Sequence, residues 1–392
     1  MKTLNIVSLI VIISIINFVD LLSIPAFARK YNISCQTCHS PMPRLKAFGD
    51  EFAGNGFAFP DKPATRYFVE TGDDQLSLIR DFPLAVRLDM HLTYKTDSDF
   101  NKTDLQSPYL LKILSGGEFT KDVAYYFYFY ISERGKLVGL EDAYLMFNNL
   151  FNKDFDFYLG QFQISDPLFK RELRLTLEDY EIYKTKVGNS LANLAYDRGI
   201  MLTYGLESGT DIIFEIVNGN GIHEANVLKE FDKDPYKNYF GRISQDIGEN
   251  IRIGAFGYLA KEEIEDNFTN IIDDKITMWG PDLTLNYNDI LELNLQYAWR
   301  KDTKANHIIM HDNIKTQGAF AELIYTPMGD ESKWYLVGLF NWVESDLNYL
   351  NYKSSAFHIG YLFRRNMRMV GEYKYDFINK SNLFSVGIVS AF

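Results

Sequence analysis

Most of this chain alternates apolar and polar residues with a period of two. Between positions 84 and 94 every second residue is apolar, from Leu84 to Tyr94, and Arg87 and His91 are among the residues in between. The same period recurs over 123–132 and 291–300. A period of two indicates β-strands, because successive side chains point to opposite faces of a strand. Strands of about ten residues with one apolar and one polar face are typical of transmembrane β-barrels.

The pattern predicts an all-β fold, an antiparallel transmembrane β-barrel of about sixteen strands, and bacterial barrels have an even number of strands. The predicted strands cover 83–96, 108–117, 122–133, 140–148, 154–163, 195–205, 210–217, 238–246, 249–259, 275–287, 290–300, 316–326, 333–344, 355–364, 368–377 and 382–392. The last strand ends in an aromatic residue, Phe392, as is typical of outer-membrane barrels. A soluble β-sandwich is the alternative, and it does not explain strands with one apolar face throughout the chain.

The predicted connections alternate between long and short, which supports a barrel independently. Long connections are expected at 97–107, 164–194, 218–237, 260–274, 301–315 and 345–354. Outer-membrane barrels have short periplasmic turns and long outer loops, so we expect a periplasmic N-terminus and an outer-membrane location. We expect lipid outside and a water-filled lumen inside. The longest connection, 164–194, either folds into the lumen or stays on the surface.

The amino-acid composition excludes some classes of protein. The chain has 392 residues, of which 15% are aromatic, and its net charge is −12. We expect no nucleic-acid partner, because that function requires a basic face. The mean hydropathy of −0.18 and the lack of an apolar stretch near 20 residues beyond the N-terminus argue against a bundle of membrane helices.

The N-terminus carries the features of an export signal. An apolar run from Ile6 to Leu22 precedes Ala26-Phe27-Ala28, which matches a small-residue cleavage site. We predict a signal peptide over 1–28, cleaved after Ala28. A retained membrane anchor is the alternative.

The only two cysteines of the chain stand together in Cys35-Gln36-Thr37-Cys38-His39. Cys-x-x-Cys-His is the attachment signature of c-type haem. Two thiols at this spacing add to the two vinyl groups of one porphyrin, and the histidine is placed to ligate the iron. A redox dithiol or half of a zinc site are alternatives, but zinc requires about four ligands. We therefore expect one covalent haem c bound by Cys35, Cys38 and His39, with His39 as the iron ligand.

The residues around this motif predict a small helical segment. Leu45, Phe48 and Phe52 have helical spacing, Pro43 suits a first helical turn, and Gly54-Asn55-Gly56 ends the helix. A segment of about 50 residues buries little core by itself. We therefore expect three parts, the signal peptide at 1–28, a monohaem cytochrome segment at 29–80 and a barrel at 83–392, with the cytochrome segment plugging the lumen.

Other site candidates are weaker. His91 should face the lumen and is a candidate second iron ligand, or merely a solvated lumen residue. Arg87 is a candidate partner for a haem propionate, because a guanidinium matches a carboxylate. Met42 lies too close to His39 in sequence to reach the opposite haem face. Three histidines fall in predicted outer loops and could bind a metal or nothing: His223, His307 and His311.

With these features together, the chain resembles the outer-membrane fused monohaem cytochrome c–porins, a family that includes proteins implicated in oxidising extracellular ferrous iron. The resemblance rests on residues 26–31, on Cys35 to His39 and on Pro43-Arg44-Leu45-Lys46-Ala47-Phe48-Gly49. Lys46 stands where the family often has Asn, which leaves the subfamily open. The resemblance implies electron transfer through the haem between an extracellular donor or acceptor and a periplasmic cytochrome.

Three functions are compatible with the sequence. The first is an electron conduit, and with ferrous iron as donor it would act as a ferrous-iron:cytochrome oxidoreductase. The second is a diffusion porin whose haem is structural or gating. The third is a haem enzyme such as a peroxidase with an open sixth site.

Overall fold

The computed structural model describes residues 26–59, 68–69, 72, 76, 78–79, 82–97, 101–137, 139–265, 271–305 and 312–392. Most of the predicted signal peptide, 1–25, lies outside the described residues, as do His307 and His311. The predicted cleavage site, Ala26 to Ala28, belongs to the first helix, and cleavage there stays a prediction.

The described residues form sixteen strands in one closed antiparallel barrel, which confirms the predicted fold class. Each strand pairs with its neighbours in sequence, and β16 pairs with β1 to close the barrel. In that pairing the N–H of Val86 donates to the Phe392 carbonyl over 2.6 Å, and the N–H of Phe392 donates back to the Val86 carbonyl. The strands are β1 Leu84–Thr96, β2 Asn101–Thr120, β3 Val123–Glu133, β4 Gly139–Phe147, β5 Phe155–Gln163, β6 Tyr196–Leu206, β7 Thr210–Val217, β8 Asn238–Ile247, β9 Ile251–Glu265, β10 Ile271–Tyr287, β11 Leu291–Asp302, β12 Ile314–Tyr325, β13 Trp334–Ser345, β14 Tyr352–Arg364, β15 Met367–Asp376 and β16 Ser381–Ala391.

The outer surface of the barrel is apolar, as the alternation predicts. On β8, Tyr239 and Ile243 are exposed on the outside, whereas Phe240 and Arg242 are buried in the lumen. A closed barrel forms all its backbone hydrogen bonds internally and leaves no free edge. A strand can lie in lipid only under these conditions. The closed barrel and its apolar exterior confirm the predicted outer-membrane location and lipid contact. Within the described ranges, no helix is long and apolar enough to cross a membrane.

Two predicted long connections are wrong. Residues 101–107 belong to β2, where Leu105 pairs with Leu92 of β1, and β9 and β10 extend to Glu265 and Ile271. Polar residues such as Asp104 and Lys261 indicated loops. These residues nevertheless belong to strands. Where a strand extends beyond the lipid, its outer face is in water, so the strand needs no apolar residues on that face.

Within the described residues, four short helices accompany the barrel: α1 Ala26–Tyr31, α2 Cys35–Cys38, α3 Ala47–Gly54 and α4 Glu181–Lys184. Single 3₁₀ turns lie at Leu150–Asn152, Arg171–Leu173, Gly329–Glu331 and Asn348–Leu350, and Phe68–Val69 pairs with Leu78–Ile79. The predicted end of α3 is confirmed, because the N–H of Asn55 donates to the Glu51 carbonyl. The predicted start at Pro43 is wrong by several residues. Phe48 is 43% exposed, so only part of the predicted apolar face is buried.

Residues 26–59, which we call the N-terminal segment, lie in the lumen at the short-turn end of the barrel. Phe27 and Phe57 stack with their ring centroids 4.7 Å apart, and Phe57 also stacks on Tyr126 of β3 at 5.3 Å. Phe52 packs edge-on against Phe27 at 5.6 Å. This aromatic cluster gives the segment a core that it shares with the barrel wall.

The loop from Ile164 to Ala195, which we call L3, folds into the lumen from the other end, as one of the two expectations had it. Tyr180 of L3 stacks on Phe320 of β12 with centroids 4.2 Å apart, and Tyr183 packs edge-on against the same ring at 5.8 Å. The expectation of a water-filled lumen is therefore wrong where L3 lies. The alternation of apolar and polar residues along the strands did not predict a large apolar side chain such as Phe320 on the lumen face. Phe320 packs on L3, which is distant from it in sequence.

Candidate functional site

The two cysteines lie on one helical turn inside the lumen. Ser34 caps the turn, because its Oγ accepts from the N–H of Gln36 over 3.4 Å. Residues three apart share one face of a helix, so the Cys35 and Cys38 side chains lie on the same side. Both are free thiols, and Cys38 is only 8% exposed. Burial raises the pKa of both thiols.

His39 follows the turn, and one of its ring nitrogens is held by the backbone. Its Nδ1 lies 2.8 Å from the Pro43 carbonyl oxygen, and that oxygen can only accept, so Nδ1–H donates. This hydrogen bond leaves Nε2 unprotonated and available as a ligand, which is the usual arrangement of a metal-ligating histidine. Burial lowers the pKa of His39, which also favours the neutral ring.

Helix α3 packs directly on this turn, and a glycine permits the contact. A Cβ at Gly49 would lie 2.2 Å from the carbonyl oxygen of Cys38. The backbone N–H of Lys46 donates to that carbonyl over 2.9 Å. Because Gly49 has no side chain, α3 approaches the cysteine turn closely and supports it from behind.

Four of the polar contacts between the N-terminal segment and the barrel lie around the cysteine turn. Arg44 forms an ion pair with Glu292 of β11, and Lys46 forms one with Asp330 in the turn before β13. The side-chain amide of Gln36 donates to the Asp330 carbonyl over 2.6 Å. The fourth contact comes from β15, where Arg368 Nη1 donates to the Met42 carbonyl over 2.9 Å. The cysteine turn is therefore fixed to three parts of the barrel wall.

A cavity of about 1250 Å³ lies between the cysteine turn, the barrel wall and L3. Cys35, Cys38 and His39 line it on one side, and Phe169 and Tyr180 of L3 line it on another. The volume exceeds the range of about 300–1,000 Å³ typical of ligand sites. Two thiols on one face, a histidine with a free Nε2 and a large cavity beside them fit a covalently attached haem.

L3 is held in the lumen by buried charges. Lys112 of β2 pairs with Glu172 over 2.9 Å, and Arg171 pairs with Asp179 over 2.5 Å. Burial would raise the pKa of Glu172, but Lys112 and Arg174 outweigh it and lower the pKa from 4.5 to about 2. Arg171 and Arg174 likewise outweigh burial and lower the pKa of Asp179.

Further along L3, Arg300 of β11 clamps the loop to the wall. Its guanidinium donates to the Ala192 carbonyl over 2.7 Å and to Ser190 Oγ over 2.9 Å, while Asp302 accepts two hydrogen bonds from it over 2.5 and 2.7 Å. The middle of L3 is held by another part of the wall, four strands away from β11. There Glu372 of β15 accepts from the backbone N–H groups of Leu177 and Glu178 over 2.6 and 2.9 Å.

The structure separates His91 from the cysteine turn. His91 is buried and faces the lumen, as predicted, with Nδ1 3.3 Å from Ser385 Oγ. It lines a second, smaller cavity together with His358 and Glu372, not the cavity that Cys35, Cys38 and His39 line.

Arg87 lines both cavities, but Asp89 occupies its guanidinium through two hydrogen bonds of 2.9 and 2.7 Å. His223 is exposed in the loop after β7. Among the described residues, no group of three or more His, Cys, Asp or Glu side chains is arranged to hold a metal ion.

Sequence reasoning missed Gly49 and Arg368. A glycine three residues after Lys46 carries no signal of a close approach, because the contact is to a carbonyl eleven positions earlier. Arg368 alternates with apolar neighbours on β15, which indicated only that it faces the lumen. The sequence around Gly49 does not reveal its contact with Cys38, and the sequence around Arg368 does not reveal its contact with Met42. In both cases the partner lies in a different segment of the chain.

The sixteen-stranded closed barrel with an inward third loop defines the class of this protein as a porin-type outer-membrane barrel. No protein-family model matches the chain, and no curated protein sequence matches it.

Solved structures of outer-membrane channels resemble the chain in fold. The channel DcaP of Acinetobacter baumannii has a TM-score of 0.57 at 13% identity, over 80% of this chain and 97% of its own. An anion-selective porin from Comamonas acidovorans has a TM-score of 0.56 at 11% identity, over 80% and 99%. A loop-deletion mutant of OmpT from Vibrio cholerae has a TM-score of 0.55 at 13% identity, over 80% and 99%. At these low identities the likeness shows the fold alone.

Proposed function

We propose that this protein is an outer-membrane electron-transfer protein that carries one haem c, held by Cys35, Cys38 and His39 inside the barrel. Its donor or acceptor lies outside the cell and its other partner is a periplasmic cytochrome. A bound c-type haem supplies one-electron chemistry between ferric and ferrous iron. The observation that carries the proposal is the hydrogen bond from His39 Nδ1 to the Pro43 carbonyl, beside two thiols on one helical turn.

The surrounding residues support a cofactor role rather than a simple dithiol. A dithiol that exchanges electrons needs a low thiol pKa and access to partners, whereas burial raises the pKa of Cys35 and Cys38. Arg44 and Lys46 fix the segment to the wall, which would keep the iron ligand in one place. The barrel then gives this site access to both sides of a membrane that otherwise insulates them.

Haem staining of a denaturing gel tests covalent attachment. Wild-type protein should stain, and the variant Cys35→Ala/Cys38→Ala should not. Both should show heat-modifiable migration, which controls for barrel assembly. Staining that persists in the double variant, or that is absent from the wild type, would contradict the proposal.

The electron donor needs a separate measurement. We expect ferrous iron, added to purified outer membranes, to produce the reduced-minus-oxidised absorption difference of a c-type haem. His39→Ala is the matched variant, because it keeps both thiols and removes the proposed iron ligand. A wild-type haem that dithionite reduces but ferrous iron does not would exclude ferrous iron as the donor.

A diffusion porin is the second candidate, and the fold comparisons taken alone favour it. The structures with the same fold include an outer-membrane channel and an anion-selective porin. Against it, L3 and the N-terminal segment enter the lumen from opposite ends, and Lys170 of L3 pairs with Asp50 of α3 over 3.4 Å. Conductance in a planar bilayer separates the two functions. An electron-transfer protein with this lumen should conduct ions far less than an open sixteen-stranded porin.

A further inference from the structure

Arg368 is a buried arginine that has no carboxylate partner among the described residues. Its side chain projects from β15 into the lumen, and the residue is 4% exposed. Ten Lys and Arg side chains line the large cavity. Nine of them have a carboxylate oxygen within 4.0 Å among the described residues, and Arg368 does not.

The contacts that Arg368 does make carry no formal charge. Its Nη1 donates to the Met42 carbonyl over 2.9 Å and to the Tyr335 hydroxyl over 2.6 Å. Nε and Nη2 have no hydrogen-bond partner among the described residues, and together they form the edge of a guanidinium that binds a carboxylate with two parallel hydrogen bonds. The Asp89 carboxylate attracts Arg368 from a distance, but a buried guanidinium without a hydrogen-bonded carboxylate is still unfavourable, so we expect an anionic group to complete this site.

We infer that Arg368 binds a carboxylate of the attached porphyrin, and this inference rests on the proposed function. Arg368 contacts the backbone of Met42, three residues after His39, and lines the same cavity as Cys35, Cys38 and His39. A c-type haem carries two propionate carboxylates. Arg87, the candidate from the sequence, is already neutralised by Asp89. Arg368 is therefore the positioning residue through which the barrel wall holds the cofactor and sets its charge environment.

The midpoint potential of the haem tests this role in full-length protein. Removal of a positive charge next to the porphyrin stabilises ferric over ferrous iron, so Arg368→Gln should lower the potential. We expect about a tenfold lower ratio of ferrous to ferric haem at a fixed applied potential. For one electron, this corresponds to a midpoint potential that is lower by about 59 mV. Arg368→Lys should recover part of this shift. The matched control is Arg364→Gln, which removes a positive charge at an exposed position outside the lining of the large cavity, where solvent screens it.

A second measurement separates carboxylate binding from a purely structural role. In protein without haem, made as Cys35→Ala/Cys38→Ala, Arg368 remains an unpaired buried charge, so Arg368→Gln should raise resistance to urea. In haem-loaded protein the same change should lower it. A structural role through Met42 and Tyr335 predicts a loss in both backgrounds.

The outcomes distinguish the two proposals. If the wild type holds no haem, the proposed function fails and the role of Arg368 fails with it. If the wild type holds haem but Arg368→Gln leaves its potential unchanged, or lowers urea resistance equally in both backgrounds, only the assignment of Arg368 is overturned. A lowered potential together with opposite effects on urea resistance supports it.

Discussion

The clamp between Arg300 and L3 makes a quantitative prediction about the lumen. Arg300→Met leaves the Asp302 carboxylate buried without a counter-charge, and Asp302 is fully inaccessible to solvent. Removal of one partner from a buried ion pair costs about 3–5 kcal/mol. The Ala192 carbonyl and Ser190 hydroxyl also lose their donor. The expected loss in unfolding free energy is therefore at least about 3 kcal/mol, a large part of the stability of an ordinary domain.

The double variant Arg300→Met/Asp302→Leu isolates the buried charge. It removes the uncompensated carboxylate, so only the unsatisfied groups of L3 remain, which cost about 1–3 kcal/mol. The double variant should therefore be more stable than the single one. The surface control is Lys301→Met, which removes a positive charge one position along β11, where the side chain points to the opposite face.

Urea titration followed by heat-modifiable gel migration measures the unfolding free energy. Ion conductance in a planar bilayer measures the state of the lumen, and release of L3 from β11 should raise it. If Arg300→Met has wild-type stability and wild-type conductance, then L3 does not depend on this clamp. The assignment of Arg300 as a clamp on L3 would then be incorrect.

Three further predictions concern the N-terminal segment, barrel closure and L3. Gly49→Ala should reduce haem staining, because the new Cβ would lie 2.2 Å from the Cys38 carbonyl oxygen. The control Gly54→Ala on the same helix places its Cβ where nothing lies within 4 Å, so this variant should stain normally. Equal staining of the two variants would contradict the packing of α3 on the cysteine turn. Deletion of Phe392 removes two backbone hydrogen bonds to Val86 and should lower the heat-modifiable fraction, while Phe392→Tyr should not; normal assembly of the truncated chain would argue against this closure. Because the pKa of Glu172 falls from 4.5 to about 2 on folding, its stabilisation is complete above pH 4.5 and lost as the pH falls towards 2. The difference in urea resistance between wild type and Glu172→Gln should shrink over that range, and a constant difference would refute the Lys112 pairing.

The barrel could be predicted from the sequence because its signal is local. Alternation along β1 or β11 reports which side chains face lipid, and each of the sixteen strands appears in its own short window. Strand ends beyond the lipid could not be predicted, because residues such as Asp104 join the ladder through the backbone and show no apolar alternation. The path of L3 was also ambiguous, since Tyr180 and its partner Phe320 are 140 positions apart.

The cysteine turn was visible for a different reason. Cys-x-x-Cys-His carries its chemistry within five residues, so the candidate ligands needed no tertiary information. Its supporting residues did need it. Gly49, Glu292 and Arg368 act through contacts between segments, and none of them has a motif of its own.

The burial of the cysteine turn would impose an order on the biogenesis of the haem protein that we propose. Cys38 lies beneath α3 and inside a ring of strands that closes when β16 meets β1. An enzyme that joins a porphyrin to both thiols needs access that the finished barrel denies. If the chain carries the proposed haem, we therefore expect attachment to precede ring closure, while the barrel is still open. A chain that closes before attachment would keep its thiols shielded and would stay without cofactor, so maturation and membrane insertion would compete for the same nascent molecule.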